Sequence, residues 1–230
     1  MLPIGINLVS EIAGLFNRIA PVYDDLNDAL SLGLHRVWKK MVLRWAQPRS
    51  GELWLDLCCG SGDMAILLAR SGARTIGVDF AEAQLGLARL KSCHLGNLTW
   101  EWGDVLALRF DNNSIDGVTM TYGLRNLTDI DRGLGEIYRV LKPQGRAVIL
   151  DFHLPDNFFM QQFQSWYLNN IVVPAAKRFN LAPEYAYLEQ SLQKFPRGRE
   201  QVQKGLGAGF GRVKHFPIGG GMMGILLLEK

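Results

Sequence analysis

At 230 residues, 48% of them hydrophobic, the chain is long enough to bury a substantial core as one globular domain. Its 25 basic and 22 acidic residues leave a net charge of +3, and the basic residues are scattered, so a nucleic-acid partner is not expected. Three cysteines, two of them adjacent at Cys58 and Cys59, give neither an even framework nor a CxxC pair. A disulfide scaffold and a zinc site are therefore not expected, and a reducing, cytoplasmic setting is.

The opening residues 1–6 are apolar, but Asn7, Ser10, Glu11 and Asn17-Arg18 follow too soon for a signal peptide. From Ser10 to about Gln47, apolar residues recur at three- and four-residue spacing: Ile12, Leu15, Phe16 and Ile19, then Val37, Met41 and Trp45. That spacing predicts helices, divided by Pro21 and Gly33, which form a cap over residues 1–50. Pro48-Arg49-Ser50-Gly51 then turns the chain into its first strand.

Over residues 51–153 strands and helices alternate with short joins, the pattern of a parallel sheet with crossover helices. Strands are expected near 52–57, 74–79, 98–103, 115–121 and 145–152, and helices near 62–71, 81–93 and 129–141. Residues 154–208 change character. They are rich in aromatics and glutamine, are broken by Pro174 and Pro183, and predict an inserted helical layer that ends in a short helix near 199–207. The stretch from Phe158 to Phe179 is too polar to span a membrane, because Gln161, Gln162, Gln164, Asn169 and Asn170 would be costly in hydrocarbon. Residues 209–230 close the chain as a hairpin, with strands near 211–217 and 222–228 joined through Ile218-Gly219-Gly220-Gly221. The expected fold is α/β and Rossmann-like: a seven-stranded, mostly parallel sheet with one strand reversed by the terminal hairpin.

The stretch Leu53 to Asp63 carries the chemistry. A strand stops at Asp56-Leu57, passes through Cys58-Cys59-Gly60-Ser61-Gly62, and gives way to a helix at Asp63. Gly60 and Gly62 permit a tight turn and a close approach of ligand to backbone. The run from Gly60 to Ala65 also satisfies G-x-G-x-x-G/A, so a nicotinamide or flavin enzyme is an alternative. Charge separates the two readings. Asp56 and Asp63 flank the turn with no Lys or Arg close in sequence, which disfavours a pyrophosphate and favours the sulfonium and ammonium groups of S-adenosylmethionine. Asp79, ending the second strand before Phe80, can accept hydrogen bonds from two ribose hydroxyls. Asp104, after the third strand, can reach an adenine amino group.

With these residues in view, the chain resembles the class I methyltransferases, and in particular the UbiE/MenG family of quinone C-methyltransferases. The resemblance runs almost end to end. Phe16-Asn17-Arg18-Ile19-Ala20-Pro21-Val22-Tyr23-Asp24 is similar to the family's N-terminal signature, and Asp116 through Tyr122-Gly123-Leu124-Arg125-Asn126 to its second. Gly219-Gly220-Gly221-Met222-Met223-Gly224 is similar to its C-terminal turn. Leu55 through Asp63 and Asn169-Asn170-Ile171-Val172-Val173-Pro174 look most like the members that methylate demethylphylloquinone. The resemblance implies S-adenosylmethionine contacts at Ser61, Asp79, Asp104, Val105 and Thr121, beside those read from the turn at Asp56, Gly60 and Gly62 and from Phe80. The chain departs from the family at Leu150-Asp151-Phe152-His153, where many members carry Glu-Phe-Ser.

The substrate implied is a prenylated naphthoquinol, reduced so that a phenolate can push charge onto the ring carbon; demethylmenaquinol, a ubiquinone-pathway benzoquinol, or a non-catalytic cofactor-binding role are the alternatives. A phenol titrates near 10, so a cation or hydrogen-bond donor at its oxygen would help at neutral pH. Arg125 is expected to stabilise that oxyanion, Asn126 to orient a quinol oxygen, and Tyr23 to close over the site as part of a lid. No metal is required. The aromatics of the helical layer, Phe158, Phe159, Met160, Phe163, Trp166 and Tyr167, are candidates for an apolar groove around the prenyl tail. A lipid tail implies peripheral contact with a membrane.

Overall fold

The computed structural model describes residues 33–174 and 191–230. Helix α1 (Leu34–Ala46) leads into β1 (Leu53–Leu57). Then come α2 (Asp63–Arg70), β2 (Arg74–Asp79), α3 (Glu82–Ser92), β3 (Leu98–Trp102), β4 (Ile115–Thr121) and α4 (Ile130–Val140). The remainder is β5 (Leu141–Phe152), α5 (Phe158–Tyr167), α6 (Gly198–Gly207), β6 (Arg212–Ile218) and β7 (Met223–Glu229).

The seven strands form one sheet in the order β3-β2-β1-β4-β5-β7-β6. All neighbouring pairs from β3 to β5 are parallel, and β7 runs antiparallel to both β5 and β6. The Rossmann-like arrangement and the single reversed strand expected from the alternation are both present. The central strands are apolar on both faces because helices cover both. Trp54 faces Val42, Met64 and Leu68 of α1 and α2, while Leu55 and Leu57 face Leu134 and Ile137 of α4.

Most element boundaries lie within a residue or two of those read from the sequence. The fifth strand differs. It opens at Leu141, directly after α4, and its early residues make a register break between Ile115 and Gly117 of β4, where Gln144 takes a left-handed φ of 66°. Pro143 cannot donate to a ladder, so the strand yields there and regular pairing resumes at Arg146.

The strand order sets the site. From β1 the chain moves outward to β2 and β3, then returns to the other side of β1 as β4. The carboxyl ends of β1 and β4 therefore splay around a crevice where the order reverses, the usual ligand seat of an open α/β sheet. Among the described residues, no helix is long and apolar enough to cross a membrane.

Candidate active site

Three residues of the β1–α2 turn take left-handed backbone conformations: Cys58 (φ 53°), Gly60 (φ 53°) and Gly62 (φ 90°). The turn is fastened to β2, since the Cys59 amide donates to the Val78 carbonyl at 3.1 Å and the Gly60 amide to Asp79 Oδ2 at 2.8 Å. The two glycines do different work. At Gly60 a Cβ would meet only Gln84 Oε1, at 3.9 Å, so the backbone lies open toward the crevice. At Gly62 a Cβ would stand 2.3 Å from the Trp100 ring, so that glycine makes room for a side chain of β3. The closeness demanded at Gly62 is packing, whereas the sequence suggested a ligand.

The crevice is lined by Cys58, Gly60, Asp79, Phe80, Gln84, Thr121, Tyr122, Gly123, Asn126 and Leu127. Of the residues expected to hold the cofactor, Gly60, Asp79, Phe80 and Thr121 are brought together there, and Asn126 joins them. Asp79 is nearly buried and held rigidly, with Oδ1 accepting from the Ala81 amide and Oδ2 from the Gly60 amide, each at 2.8 Å. Burial raises its carboxyl above the ordinary value, and those amides limit the rise. Each oxygen keeps a second lone pair, the acceptor set that a ribose diol requires. Burial, together with the charges of Asp79 and Asp56, pushes the Cys58 thiol well up, so Cys58 remains a neutral thiol in the wall.

Besides Gly62, four residues expected to hold the cofactor stand outside that lining. Asp56 is fully buried behind the turn, accepts from Thr119 Oγ1 at 2.8 Å, and is raised by burial to about 7, with Thr119 and Lys39 pulling it back only in part. Ser61 is also buried and accepts from Lys91 Nζ at 2.9 Å. Asp104 caps a short turn by accepting from the Leu106 amide at 2.9 Å, and the Val105 side chain is part of the core. These residues support the turn and the end of β3, and none lines the crevice.

Contrary to the expectation from the turn, two lysines offset its acidic charge. Lys39 of α1 donates to Asp63 at 2.8 Å and Lys91 of α3 reaches it at 3.3 Å. Burial alone would raise the Asp63 carboxyl, but Lys39 and then Lys91 hold it below the ordinary range. Neither lysine is near Asp63 in sequence; tertiary packing supplies both. With Asp63 neutralised and Asp56 raised to about 7, the local field no longer selects a cation by itself. The ribose acceptors of Asp79 and the open backbone at Gly60 are what fit a nucleoside cofactor.

On the acceptor side, the turn Leu124–Asn126 follows β4. Asn126 Nδ2 donates to the Tyr122 carbonyl at 3.2 Å, and its Oδ1 is buried with no hydrogen-bond partner among the described residues. Arg125 is placed differently. Its guanidinium pairs with Asp151 of β5 and its Nε donates to Ser191 Oγ at 2.9 Å, while its own amide donates to Asp151 Oδ2 at 2.9 Å. Asp151, where the chain departs from the family pattern, fixes Arg125 through a contact that no local motif signals. Tyr122, with φ 64° and its ring stacked on Phe152 at 5.1 Å, and the lining residues Cys58, Gln84, Gly123 and Leu127 were also missed. Gly123 is required by a contact across the fold, since a Cβ there would meet Cys58 at 2.6 Å. Tyr23 lies outside the described residues.

His153 is a packed strand-end residue, its ring 4.8 Å from His215 and its Nδ1 3.1 Å from the Leu154 carbonyl. A larger, open and mostly polar groove of about 740 Å³ meets the crevice at Leu127, with Asp129, Asp131, Lys194, Arg197, Glu200 and Lys204 on its walls beside Leu154 and Phe195. Phe158, Phe159, Phe163 and Trp166, expected to wall a tail groove, are instead exposed on α5.

Comparison with known proteins finds methyltransferases. A 2-phytyl-1,4-naphtoquinone methyltransferase of Nostoc is 49% identical over 229 residues, covering 97% of this chain and all of that one. The chloroplastic 2-phytyl-1,4-beta-naphthoquinone methyltransferase of Arabidopsis thaliana is 46% identical, over 93% of this chain and 85% of that one. Among solved structures, an S-adenosylmethionine-dependent methyltransferase of Thermotoga maritima, described as a possible histamine N-methyltransferase, superposes with a TM-score of 0.66. It is 16% identical over 94% of this chain and 99% of that one, a likeness of fold. The profile of the ubiE/COQ5 methyltransferase family matches residues 7–229, nearly the whole length and every element of the crevice, and the chain belongs to that family.

Proposed function

We propose that the protein methylates a ring carbon of a reduced, prenylated naphthoquinol, demethylphylloquinol foremost, in the synthesis of phylloquinone. The names of its close relatives support that acceptor. S-adenosylmethionine supplies an electrophilic methyl on a sulfonium. Asp79 would hold its ribose, and Gly60, Phe80 and Thr121 the surrounding walls. Asp56, Ser61, Gly62, Asp104 and Val105 act in this reading as supports that fix the turn and the end of β3.

The observation that carries the acceptor side is the bare Asn126 Oδ1 at the crevice wall. A buried acceptor without a donor is costly unless a ligand supplies one, and a quinol hydroxyl does. Asn126 therefore orients the quinol. Arg125, its charge shared with Asp151, holds the turn that presents Asn126 and lends what remains of its field to the developing phenolate. The lipid tail calls for contact with a membrane.

The test is incubation with labelled S-adenosylmethionine and a panel of reduced demethylated quinones that differ in head group and tail. Label is expected in the naphthoquinols. Transfer to a benzoquinol alone would overturn the acceptor, and tight NAD(P) binding without S-adenosylmethionine binding would overturn the reading as a whole. Asn126→Ala is expected to lower turnover by about tenfold to a hundredfold with little change in cofactor affinity.

A further inference from the structure

Helix α5 turns most of its aromatics outward. On its inner side Gln164 is buried and donates to the His153 carbonyl at 3.3 Å, and Gln161 donates to the Pro155 carbonyl at 2.7 Å, beside the half-buried Met160 and Tyr167. Its outer face carries the aromatics, with Phe158 65% exposed, Phe159 78%, Phe163 46% and Trp166 53%. Phe159, Phe163 and Trp166 fall at i, i+4 and i+7, one stripe of a helix. Phe163 and Trp166 lie stacked, their ring centroids 6.1 Å apart. Ile171, 43% exposed, extends the apolar surface into the wide turn Leu168–Val172 that continues the helix. A surface helix with its aromatics outward has buried the wrong side for water.

We propose that this aromatic ridge is the face on which the protein docks to a lipid bilayer, inserted at the boundary between headgroups and acyl chains. The proposal rests on the reading of the substrate as a prenylated quinol and names the element that brings the enzyme to it. Composition selects the occupant. From residue 157 to residue 176 the chain has no Asp, Glu, Lys, Arg or His, so nothing on the ridge must be desolvated as an ion. Phe and Trp, interrupted by Gln, Ser and Asn, match the half-wet layer where amphipathic rings partition. Size argues against a second copy of the chain. Four aromatics of roughly 150–250 Å² each, half to three-quarters exposed, offer on the order of 450 Å², well below the roughly 800 Å² per partner of a stable interface. A bilayer requires no such shape-matched area.

The neutral ridge predicts how binding behaves. Docking through uncharged aromatics survives salt, whereas docking through scattered lysines and arginines requires anionic lipid and is lost in it. The test is flotation of the full chain, without substrate, on vesicles of phosphatidylcholine alone and of phosphatidylcholine mixed with phosphatidylglycerol, at low and high salt. The protein is expected to float with both vesicles at both salts. The triple variant Phe159→Ser, Phe163→Ser, Trp166→Ser is expected to lose at least about tenfold in binding, with Tm and S-adenosylmethionine binding unchanged. Four outcomes overturn the proposal: the wild-type protein left in the aqueous fraction, an equally buoyant triple variant, binding that needs phosphatidylglycerol and vanishes in salt, or a solution dimer that the triple substitution dissociates. Methylation of a short-tailed, water-soluble naphthoquinol tests the enzymatic reading separately, because it needs no vesicle.

Discussion

Two glycines two residues apart in one turn can be told apart by what each leaves room for. Gly62, at φ 90° with Trp100 2.3 Å from where a Cβ would stand, resists any side chain on both counts. Gly62→Ala is expected to cost about 2–4 kcal/mol in denaturant unfolding, combining left-handed strain with overpacking. Gly60 has space around it, and Gly60→Ala is expected to cost about 1 kcal/mol while placing a methyl at the crevice. The second substitution should weaken S-adenosylmethionine binding more than the first, as read by titration of the folded variants. Equal losses of stability from the two would show that they do the same work. At this scale the sequence reads well wherever the constraint is local: Asp79 ends a strand, and its role follows from that position. It reads poorly where the constraint is a contact across the fold. Lys39 and Lys91 lie 24 and 28 residues from Asp63, and nothing between them signals that they meet.

Elements α1 and α2 are tied by one such contact. Lys39 sits on the buried face of α1 beside Val42 and Ala46, and its ammonium reaches the first residue of α2, where a carboxylate also suits the helix dipole. The pair joins the N-terminal helical cap to the turn beneath the crevice, so the position of α1 and the shape of the turn are set together. Lys39→Met keeps the apolar stem and removes the charge. It is expected to cost about 1–3 kcal/mol, because Asp63 is left with only the longer contact to Lys91. Adding Asp63→Asn to that variant should recover part of the loss, and a double variant less stable than Lys39→Met alone would count against the linkage. The elements themselves were legible because strand-helix alternation is a periodic signal, short in range. Helix α5 shows the limit of that signal. Its helicity was readable, but the inward turn of Gln161 and Gln164 depends on the carbonyls of Pro155 and His153, which become available only once β5 has ended against the sheet.

For the whole molecule, the buried titratable groups pull the pH dependence of stability in opposite directions. Asp56 is raised by burial to about 7 from an unfolded value near 3.8, so between those values the native state binds more protons than the unfolded chain. Stability from this group is full below about pH 4 and is lost as pH rises toward 7; Asp79, raised in the same direction, adds to it. His215 is lowered to about 4 from 6.5, first by burial and then by His153. Its contribution has the other sign: it is present above about 6.5 and lost as pH falls toward 4. Asp63 and Asp116, held below 3.8, act beneath that window, and Glu136, held below 4.5, adds to the histidine slope only at the window's acid end. The wild-type profile between about pH 4 and 6.5 should therefore be shallow, because its two main slopes offset one another. Asp56→Asn should expose the histidine slope, with stability rising as pH rises across that window. His215→Gln should expose the carboxylate slope, with stability falling over the same range. Urea unfolding at fixed ionic strength reads both, and profiles left parallel to wild type by the two substitutions would mean that neither buried group governs stability between pH 4 and 7.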